Sequence, residues 1–140
     1  MAVEEWMFEQ KLKVRDYECD IQGIVNNSVY QNYMEHTRHE FLLDIGLDFA
    51  DLHKQGIDAV VARIEIDFKF PLKSGDEFAC RLRMEKEGNV KYIFYQDIYR
   101  LEDEKLCARG RVVAATIING RPGVAPEVDE VFLNVINGEI

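Results

Sequence analysis

The sequence predicts an α+β fold in which one long central helix is wrapped by a five-stranded antiparallel sheet. Two observations support this prediction: one stretch, residues 28–46, repeats its apolar residues with a helical period, and three other stretches, residues 8–17, 60–70 and 77–85, alternate apolar and polar residues. A helix with one apolar stripe needs a sheet to cover that stripe. The length suits a single domain over residues 1–140. We expect its core to span about residues 6–119, followed by a weakly ordered tail over residues 120–140 that glycine and proline interrupt.

The first strand and the helix differ in their periods. Residues 8–17 alternate between apolar and charged side chains, which is typical of a strand with one face in water. In the helical stretch the apolar residues recur every three or four positions over about five turns. Asn27 or Ser28 suits the N-cap of this helix, and Gly46 suits its C-terminal end. The stripe contains Tyr30, Tyr33, Met34, Thr37, Phe41, Leu42 and Ile45.

Four further strands follow a short helical segment at residues 48–55. These strands are predicted at residues 60–70, 77–85, 91–101 and 105–118. The strand at residues 91–101 carries aromatic side chains on both faces. One helix cannot cover both faces, so we expect part of this strand to contact a second protomer or a ligand. Small residues in the last strand, among them Gly110, permit close packing of another element over it.

Composition and charge argue against several classes of function. The formal net charge is −9, which disfavours binding to nucleic acid or to an anionic membrane surface. No stretch offers the ~20 consecutive apolar residues of a membrane span, and the amino terminus lacks the features of a signal peptide, so a cytoplasmic protein is expected. The three cysteines show no CxxC spacing, and the three histidines share no spacing with cysteines or a carboxylate cluster. We therefore expect no disulfide framework, no metal site and no redox cofactor.

The segment that is most informative about chemistry is residues 16–30, where a polar stretch broken by glycine leads into the N-terminus of the long helix. A helix N-terminus offers free backbone N–H groups and a positive dipole end, which can polarise a carbonyl oxygen. The carboxylate of Asp20, a few residues upstream, can then lie close to the carbonyl carbon. One carboxylate and one oxyanion site are the minimum for acyl-transfer hydrolysis. Taken alone, however, an aspartate at such a place more often forms a turn or a cap.

This segment contains the pattern Asp-x-x-Gly-x-Val-x-Asn-x-x-Tyr, followed on the helix by an acidic residue and an arginine. The positions are Asp20, Gly23, Val25, Asn27, Tyr30, Glu35 and Arg38. The pattern resembles that of hotdog-fold acyl-CoA thioesterases of the 4-hydroxybenzoyl-CoA thioesterase type. The resemblance continues through Ile66-Asp67-Phe68, Pro71 and Gly75-Asp76 to about residue 118, although only the segment around Asp20 is specific.

The resemblance implies a hotdog fold and the hydrolysis of an acyl-CoA to a free acid and CoA. It assigns the catalytic carboxylate, as nucleophile or general base, to Asp20, and an oxyanion-binding backbone N–H to Asn27. Glu35 is a secondary catalytic candidate, because some hotdog branches use a carboxylate on the helix. Substrate contacts are expected from Gly23, Ile24, Val25, Asn26 and Tyr30.

The phosphates of CoA require a local basic patch in a protein of this charge. Arg81 and Arg83 are the candidates, because they occupy outward positions of one strand. The alternative interpretation is a solvated face of the sheet.

The sequence departs from the family pattern at the positions where many relatives carry a histidine. Here those positions hold Ile24, Asn26 and Asn27. Plant acyl-carrier-protein thioesterases are similar in the run Val-Asn-Asn-x-x-Tyr but have Asn and His where this chain has Gln22 and Ile24. The acyl group, the branch, and the choice between CoA and acyl-carrier protein therefore stay open.

The sequence leaves two alternative functions open and also predicts an oligomeric assembly. A hotdog domain can dehydrate hydroxyacyl thioesters, but that reaction usually relies on a histidine with an acidic partner. The chain can also be a non-catalytic acyl-thioester binding module, since a fold does not determine a function. A homodimer is expected, and a homotetramer is possible in principle, with the site between the helix N-terminus of one protomer and strand residues of the other.

Overall fold

The structure, a computed structural model, describes residues 6–138 and consists of one curled antiparallel sheet with helices packed against it. In chain order its elements are β1 (Phe8–Lys13), α1 (Asn27–Asp44), α2 (Phe49–Lys54), β2 (Ile57–Phe68), β3 (Glu77–Glu87), β4 (Lys91–Arg100), β5 (Lys105–Ile118), β6 (Arg121–Pro122) and α3 (Pro126–Ile136). The strands lie in the order β1-β3-β4-β5-β2, and the short β6 pairs with β5. The long helix and its wrapping antiparallel sheet are those that the sequence predicts.

Helix α1 covers one face of the sheet, which we call the inner face. In β3 this face carries Phe78, Cys80, Leu82 and Met84, all of them buried. In β5 it includes Gly110, where an added Cβ atom would lie 2.6 Å from Sδ of Met34 on α1. The absence of a side chain at position 110 therefore lets α1 approach the sheet closely, as the small residues of this strand predict.

The start of α1 differs by one residue from the prediction. The N-cap is Asn26 rather than Asn27 or Ser28, since the Asn26 side chain accepts the Ser28 N–H at 3.1 Å. After the helix, Gly46 adopts a φ of +89°, in the left-handed region that commonly ends helices.

The first strand is shorter than residues 8–17. It ends at Lys13, and a single turn of 3₁₀ helix follows at Asp16–Glu18. Here the Glu18 side chain accepts the backbone N–H of Arg15 at 2.8 Å. This local hydrogen bond competes with continued strand pairing, which explains the early end.

Residues 120–138 do not form the weakly ordered tail that the sequence predicts. They form β6 and α3, and Val128 and Phe132 of α3 are buried in the core on the same side of the sheet as α1. The prediction is wrong because Pro126 lies at the start of a helix, where proline is favoured, and does not interrupt a strand. The core therefore extends well beyond residue 119.

Polar contacts also attach α3 to the sheet. The Lys86 ammonium donates to Asp129 Oδ1 at 2.8 Å, and the Tyr92 hydroxyl donates to the same oxygen. The pKa of Asp129 is lowered: its burial opposes this, but the bonds from Lys86 and Tyr92 favour the ionised form. The ring of Tyr92 packs on that of Phe132, with centroids 4.6 Å apart.

The outward aromatic residues of β4 are covered by the chain itself. The guanidinium carbon of Arg83 lies 4.1 Å from the ring centroid of Tyr95, and that of Arg81 lies 4.7 Å from the ring centroid of Tyr99. On the inner face α3 covers Tyr92. Within the described part of the chain these contacts pack against the three rings, and the expectation of a second protomer or a ligand at this strand stays a prediction.

Strand β2 forms one edge of the sheet and stays exposed. It pairs only with β5, and the pairing is irregular between Val61 and Arg63. Val60 and Val61 are each 45% exposed and Phe68 is 49% exposed. An edge of this length with exposed apolar side chains is a surface for pairing with another strand.

The burial of α3 yields the first prediction. Phe132→Ala removes a buried ring from the core and should lower the free energy of unfolding by about 3 kcal/mol. The exposed neighbour Glu130 provides the control, because Glu130→Ala should change stability by less than about 0.5 kcal/mol. Urea unfolding followed by circular dichroism measures both. Equal stability of the Phe132 variant and the wild type would mean that α3 does not belong to the core.

Candidate active site

A short hairpin at residues 18–26 carries Asp20 to the start of α1. The backbone N–H of Asp20 donates to the Ile24 carbonyl at 2.8 Å, and the N–H of Asn26 donates to the Glu18 carbonyl at 3.0 Å. Because Asn26 also caps α1, the hairpin and the helix share a residue. The position of Asp20 is thereby tied to the position of the helix N-terminus.

The loop itself orients the Asp20 side chain. Asp20 Oδ1 accepts the Gln22 N–H at 2.8 Å, and the Asp20 carbonyl accepts the Gly23 N–H at 3.0 Å. Gly23 has a φ of +82°, which side chains disfavour and which closes the turn. Asp20 is therefore a turn former, as the simpler interpretation holds. It is also exposed, and within residues 6–138 its second carboxylate oxygen has no hydrogen-bond partner.

The first turn of α1 offers an uncommitted donor. The N–H of Ser28 is bound by the Asn26 side chain and that of Val29 by the Asn26 carbonyl, at 3.1 and 2.9 Å. The N–H of Asn27 has no acceptor among the residues that the structure describes. A free N–H at the positive end of a helix dipole suits a carbonyl oxygen that gains negative charge.

Two tyrosines of α1 hold this region together. The buried Tyr30 hydroxyl accepts the Leu72 N–H at 3.1 Å, and the Tyr33 hydroxyl donates to Glu18 at 2.8 Å. Burial and the contact with Glu18 raise the pKa of Tyr33, so this hydroxyl stays protonated. The N–H of Val25 donates to the Leu72 carbonyl at 2.9 Å. Tyr30 and Val25, expected as substrate contacts, are thus buried and support the site from within.

A furrow between α1 and the edge strand β2 begins at the helix N-terminus. Its first part is lined by Asn27, Ser28 and Gln31 of α1 and by Ile64, Ile66 and Phe68 of β2. Further along the helix, Glu35, Arg38 and His39 line a cavity of about 200 Å³ whose other walls are mainly apolar. These helix residues follow one another at helical spacing, so the two depressions lie on one face of α1. We call them together the α1–β2 furrow.

Two of the predicted residues, Asn27 and Glu35, line this furrow, and others lie in the hairpin that precedes it. Gly23, Ile24 and Asn26 lie in the hairpin beside Asp20. Glu35 lies in the cavity, about two turns along the helix from Asn27. Glu35 therefore lies away from the helix N-terminus and contributes to the deeper part of the furrow.

Arg81 and Arg83 do not belong to this site. The inner positions of β3 are occupied by buried residues, so these arginines point to the opposite face of the sheet. Arg81 bonds there to Glu9 and Glu104, at 2.8 and 2.9 Å, which neutralise its charge. In addition, β4 and β5 separate β3 from β2. The structure therefore places Arg81 and Arg83 apart from the furrow, which the sequence did not predict, because residue parity can be read from the sequence but strand order cannot.

The sequence reasoning did not identify a buried polar pair beside the furrow. Arg38 Nη1 donates to Gln96 Oε1 at 2.9 Å, and Gln96 Nε2 donates to the Met34 carbonyl at 2.8 Å. Arg38 is 8% exposed and Gln96 is fully buried. Burial lowers the pKa of Arg38, and the nearby Glu35 opposes that shift. The available signal was a glutamine at an inward position of an otherwise apolar strand.

The thiol of Cys19, next to Asp20, is not activated as a nucleophile. Burial raises the pKa of the Cys19 thiol, with a further contribution from the charge of Asp20, so the thiolate is disfavoured at neutral pH.

Within residues 6–138, no group of three or more metal-binding side chains is arranged to hold an ion. No helix in that range is long and apolar enough to cross a bilayer.

The contact between Tyr30 and Leu72 yields a prediction about the site's support. Tyr30→Phe leaves the buried Leu72 N–H without its acceptor and should lower the free energy of unfolding by about 2 kcal/mol. Tyr33→Phe is the matched control: it should cost about 1 kcal/mol, since Glu18 keeps its bonds to Arg15. Chemical denaturation of both variants measures the difference. Equal losses would show that the Leu72 N–H finds another acceptor.

Comparison with known proteins places this geometry in a family. Residues 14–136 match the family described as the thioesterase-like superfamily. A chloroplastic acyl-acyl carrier protein thioesterase of Arabidopsis thaliana is 35% identical over 111 residues, which make up 79% of this chain and 58% of the relative. The chain thus spans less than two thirds of that relative's length.

Solved structures agree on the fold. A hypothetical protein of Aquifex aeolicus superposes with a TM-score of 0.83 at 28% identity, covering 89% of this chain and 98% of that one. A 1,4-dihydroxy-2-naphthoyl-CoA thioesterase of Synechocystis superposes with a TM-score of 0.84 at 16% identity, covering 93% and 95%, which is a likeness of fold alone. The predicted hotdog fold is confirmed, and the chain belongs to the thioesterase-like superfamily.

Proposed function

We propose that the protein is an acyl-CoA thioesterase that hydrolyses its substrate to a free acid and CoA. The observation that carries the proposal is the hairpin that joins Asp20 to α1. It holds a carboxylate with one uncommitted oxygen a few residues before a helix whose Asn27 N–H is also uncommitted. A carboxylate and an oxyanion donor are the groups that thioester hydrolysis requires.

Asp20 has two possible roles in the reaction, and both give the same products. As a nucleophile, its oxygen attacks the carbonyl carbon, the C–S bond breaks, CoA leaves as a thiolate, and water hydrolyses the resulting anhydride. As a general base, it takes a proton from a water molecule whose oxygen attacks instead. In either case the Asn27 N–H stabilises the negative carbonyl oxygen. A thiolate leaves readily, so the site needs no strong general acid, and the proposed reaction uses no metal or redox cofactor.

The relatives support this class of reaction. The plant relative is named an acyl-acyl carrier protein thioesterase, and the Synechocystis protein a CoA thioesterase. Both kinds of substrate present the acyl thioester at the end of a phosphopantetheine arm. A site at the end of the α1–β2 furrow suits either carrier, and the experiment below therefore tests both.

Dehydration of a hydroxyacyl thioester is the alternative reaction. It usually relies on a histidine, and the segment from Asp20 to Asn27 contains none. A non-catalytic acyl-thioester binding module is the alternative from another class. It would bind acyl-CoA through the same furrow but leave the thioester intact.

A homodimer is the assembly that the exposed edge favours. β2 is twelve residues long, alternate residues direct their backbone hydrogen-bonding groups to the open edge, and the side chains of Val60, Val61 and Phe68 are exposed. Pairing of β2 with its copy about a two-fold axis would continue the sheet and cover the furrow at once. The opposite edge, β1, is half as long and carries Glu9, Lys11 and Lys13, so it suits pairing less well. A homotetramer would need a further interface.

A cytoplasmic location also belongs to the proposal. The thiols of Cys19, Cys80 and Cys107 are free. Burial raises the pKa of Cys80 to about 11, which keeps it inert. Free thiols are typical of a reducing compartment.

Hydrolysis and the role of Asp20 are tested together. Asp20→Asn keeps an oxygen that can accept the Gln22 N–H, so the hairpin should persist, while the nucleophile or base is lost. We expect kcat/KM to fall by at least about 100-fold. The measurement is free-thiol release from a panel of aliphatic and aromatic acyl-CoAs and acyl-acyl carrier proteins.

Asp48→Asn is the matched control for this change. Asp48 accepts the Ala50 N–H at 2.9 Å with the same local geometry, but it caps α2 rather than preceding α1. This variant should keep wild-type activity. Thiol release that is equal in the Asp20 variant and the wild type would remove Asp20 from the mechanism. Binding without turnover on every substrate would favour the binding module.

The dimer is tested at the edge strand. Val61→Lys places a charge at the centre of the proposed contact and should convert a dimer, of twice the 16.3 kDa chain mass, into a monomer. Leu43→Lys changes a residue on α1 that is 56% exposed, and it should leave the mass unchanged. Light scattering after size exclusion measures both. A wild-type monomer at micromolar concentration would contradict the proposal, and a dimeric Val61 variant would place the interface elsewhere.

A further inference from the structure

We infer that Arg38 binds an oxygen atom of the acyl chain, so that the preferred substrates are medium-chain acyl thioesters with a hydroxyl or keto group far from the thioester. This inference rests on the proposed function, because it takes the thioester to bind at Asn27 and the acyl chain to follow the α1–β2 furrow. The cavity at the inner end of the furrow is where the recognition takes place.

The cavity walls are mainly apolar, and the charged side chains that line the cavity lie on α1. Leu42, Phe49, Phe94 and Ala114 are among the apolar residues that line it. On α1, by contrast, the side chains facing it include that of Arg38. A cation at the border of an apolar cavity can discriminate between a plain chain and one that carries an acceptor.

The charge of Arg38 is poorly compensated within the chain. More than nine-tenths of the residue is buried, and its single hydrogen bond to a residue that the structure describes is to the neutral amide of Gln96. No carboxylate among residues 6–138 lies within ion-pair distance of it. A guanidinium has five N–H donors, and burial of a charge without partners is costly. Its remaining donors are available to a ligand in the cavity.

The ligand group is a neutral oxygen rather than an anion. Glu35 lines the same cavity and its charge acts on Arg38, although the two form no ion pair within residues 6–138. A carboxylate at the end of the acyl chain would therefore meet repulsion from Glu35. A hydroxyl or a keto oxygen accepts a hydrogen bond from Arg38 without that repulsion.

The position of Arg38 specifies the length of the chain. Its guanidinium contacts Gln96, whose amide also bonds the Met34 carbonyl, so the guanidinium lies level with Met34. Met34 is seven residues from Asn27, a rise of about 10 Å along the helix. An acyl group with a single ring attached directly to the thioester is too short to reach that point. A medium-length chain reaches it.

Gln96 acts as a positioning residue for Arg38. Its side chain is fully buried, and its own donors are taken up by Met34 and Cys80. Its oxygen is therefore fixed, and it holds one edge of the guanidinium toward the sheet. Replacing this neutral acceptor by a carboxylate should neutralise Arg38 and withdraw it from the ligand.

The experiment compares octanoyl-CoA with ω-hydroxyoctanoyl-CoA, which differ only in the terminal oxygen. Binding is measured by calorimetry on protein that carries Asp20→Asn, so that the substrate stays intact, and kcat/KM is measured on the wild type. We expect both quantities to favour the hydroxylated chain by about tenfold. In Arg38→Met and in Gln96→Glu the preference should fall to about one. Arg111→Met, which removes an arginine from the outer face, should preserve it.

The measured quantity is the ratio of the affinities, or of the kcat/KM values, for the two ligands. A variant that binds both ligands more weakly therefore leaves this ratio unchanged. Gln96→Glu retains Arg38 and decides the matter if Arg38→Met does not fold. Equal binding of the two ligands, also with hexanoyl and decanoyl pairs, would overturn the inference, as would an unchanged preference in both variants. If the Asp20→Asn protein binds the hydroxylated chain preferentially through Arg38 but the wild type releases no thiol, the hydrolase proposal fails and this inference stands.

Discussion

Helix α1 approaches β5 over Gly110, and the depth of that approach determines where the functional groups lie. A Cβ atom at this position would lie 2.6 Å from Sδ and 2.8 Å from Cε of Met34, so the end of the Met34 side chain would have to move. With the helix seated, the Tyr30 and Tyr33 hydroxyls reach Leu72 and Glu18. The hairpin that carries Asp20 is built on those two contacts, so its position depends on packing in the middle of the sheet.

Buried polar groups fix the position of α1 along the sheet. Apolar contacts alone would tolerate a shift of α1 along the sheet, since Phe, Leu and Met side chains are adaptable. The bonds from Gln96 to the Met34 carbonyl and from Arg38 to Gln96 are formed in only one register. A shift by one turn would leave these buried groups unsatisfied, at a cost of a few kcal/mol. Arg38 and Gln96 therefore determine both the position of α1 on the sheet and the chemistry of the cavity.

The elements with strong periodicity were predictable, and the features that depend on long-range contacts were not. The stripe of α1 and the alternation in β2 and β3 are local, and so is the turn chemistry of Asp20 and Gly23. Helix α3 was missed because Pro126 was interpreted as a strand breaker rather than a helix start. The outer location of Arg81 depends on strand order, and the bond between Arg38 and Gln96 joins residues 58 positions apart. Neither has a local signature.

The strand order also has a consequence for the sequence of events during synthesis. β3, β4 and β5 form a local meander, whereas β1 pairs with β3 through Phe8 and Leu82. β1 therefore leaves the ribosome on the order of 10 s before its partner β3 at typical rates of translation. Over this interval its backbone is unpaired, and a chaperone can bind it. β1 and α1, which are synthesised before the other elements, thus pack against elements that are synthesised later. The core forms fully only when α3 has been synthesised.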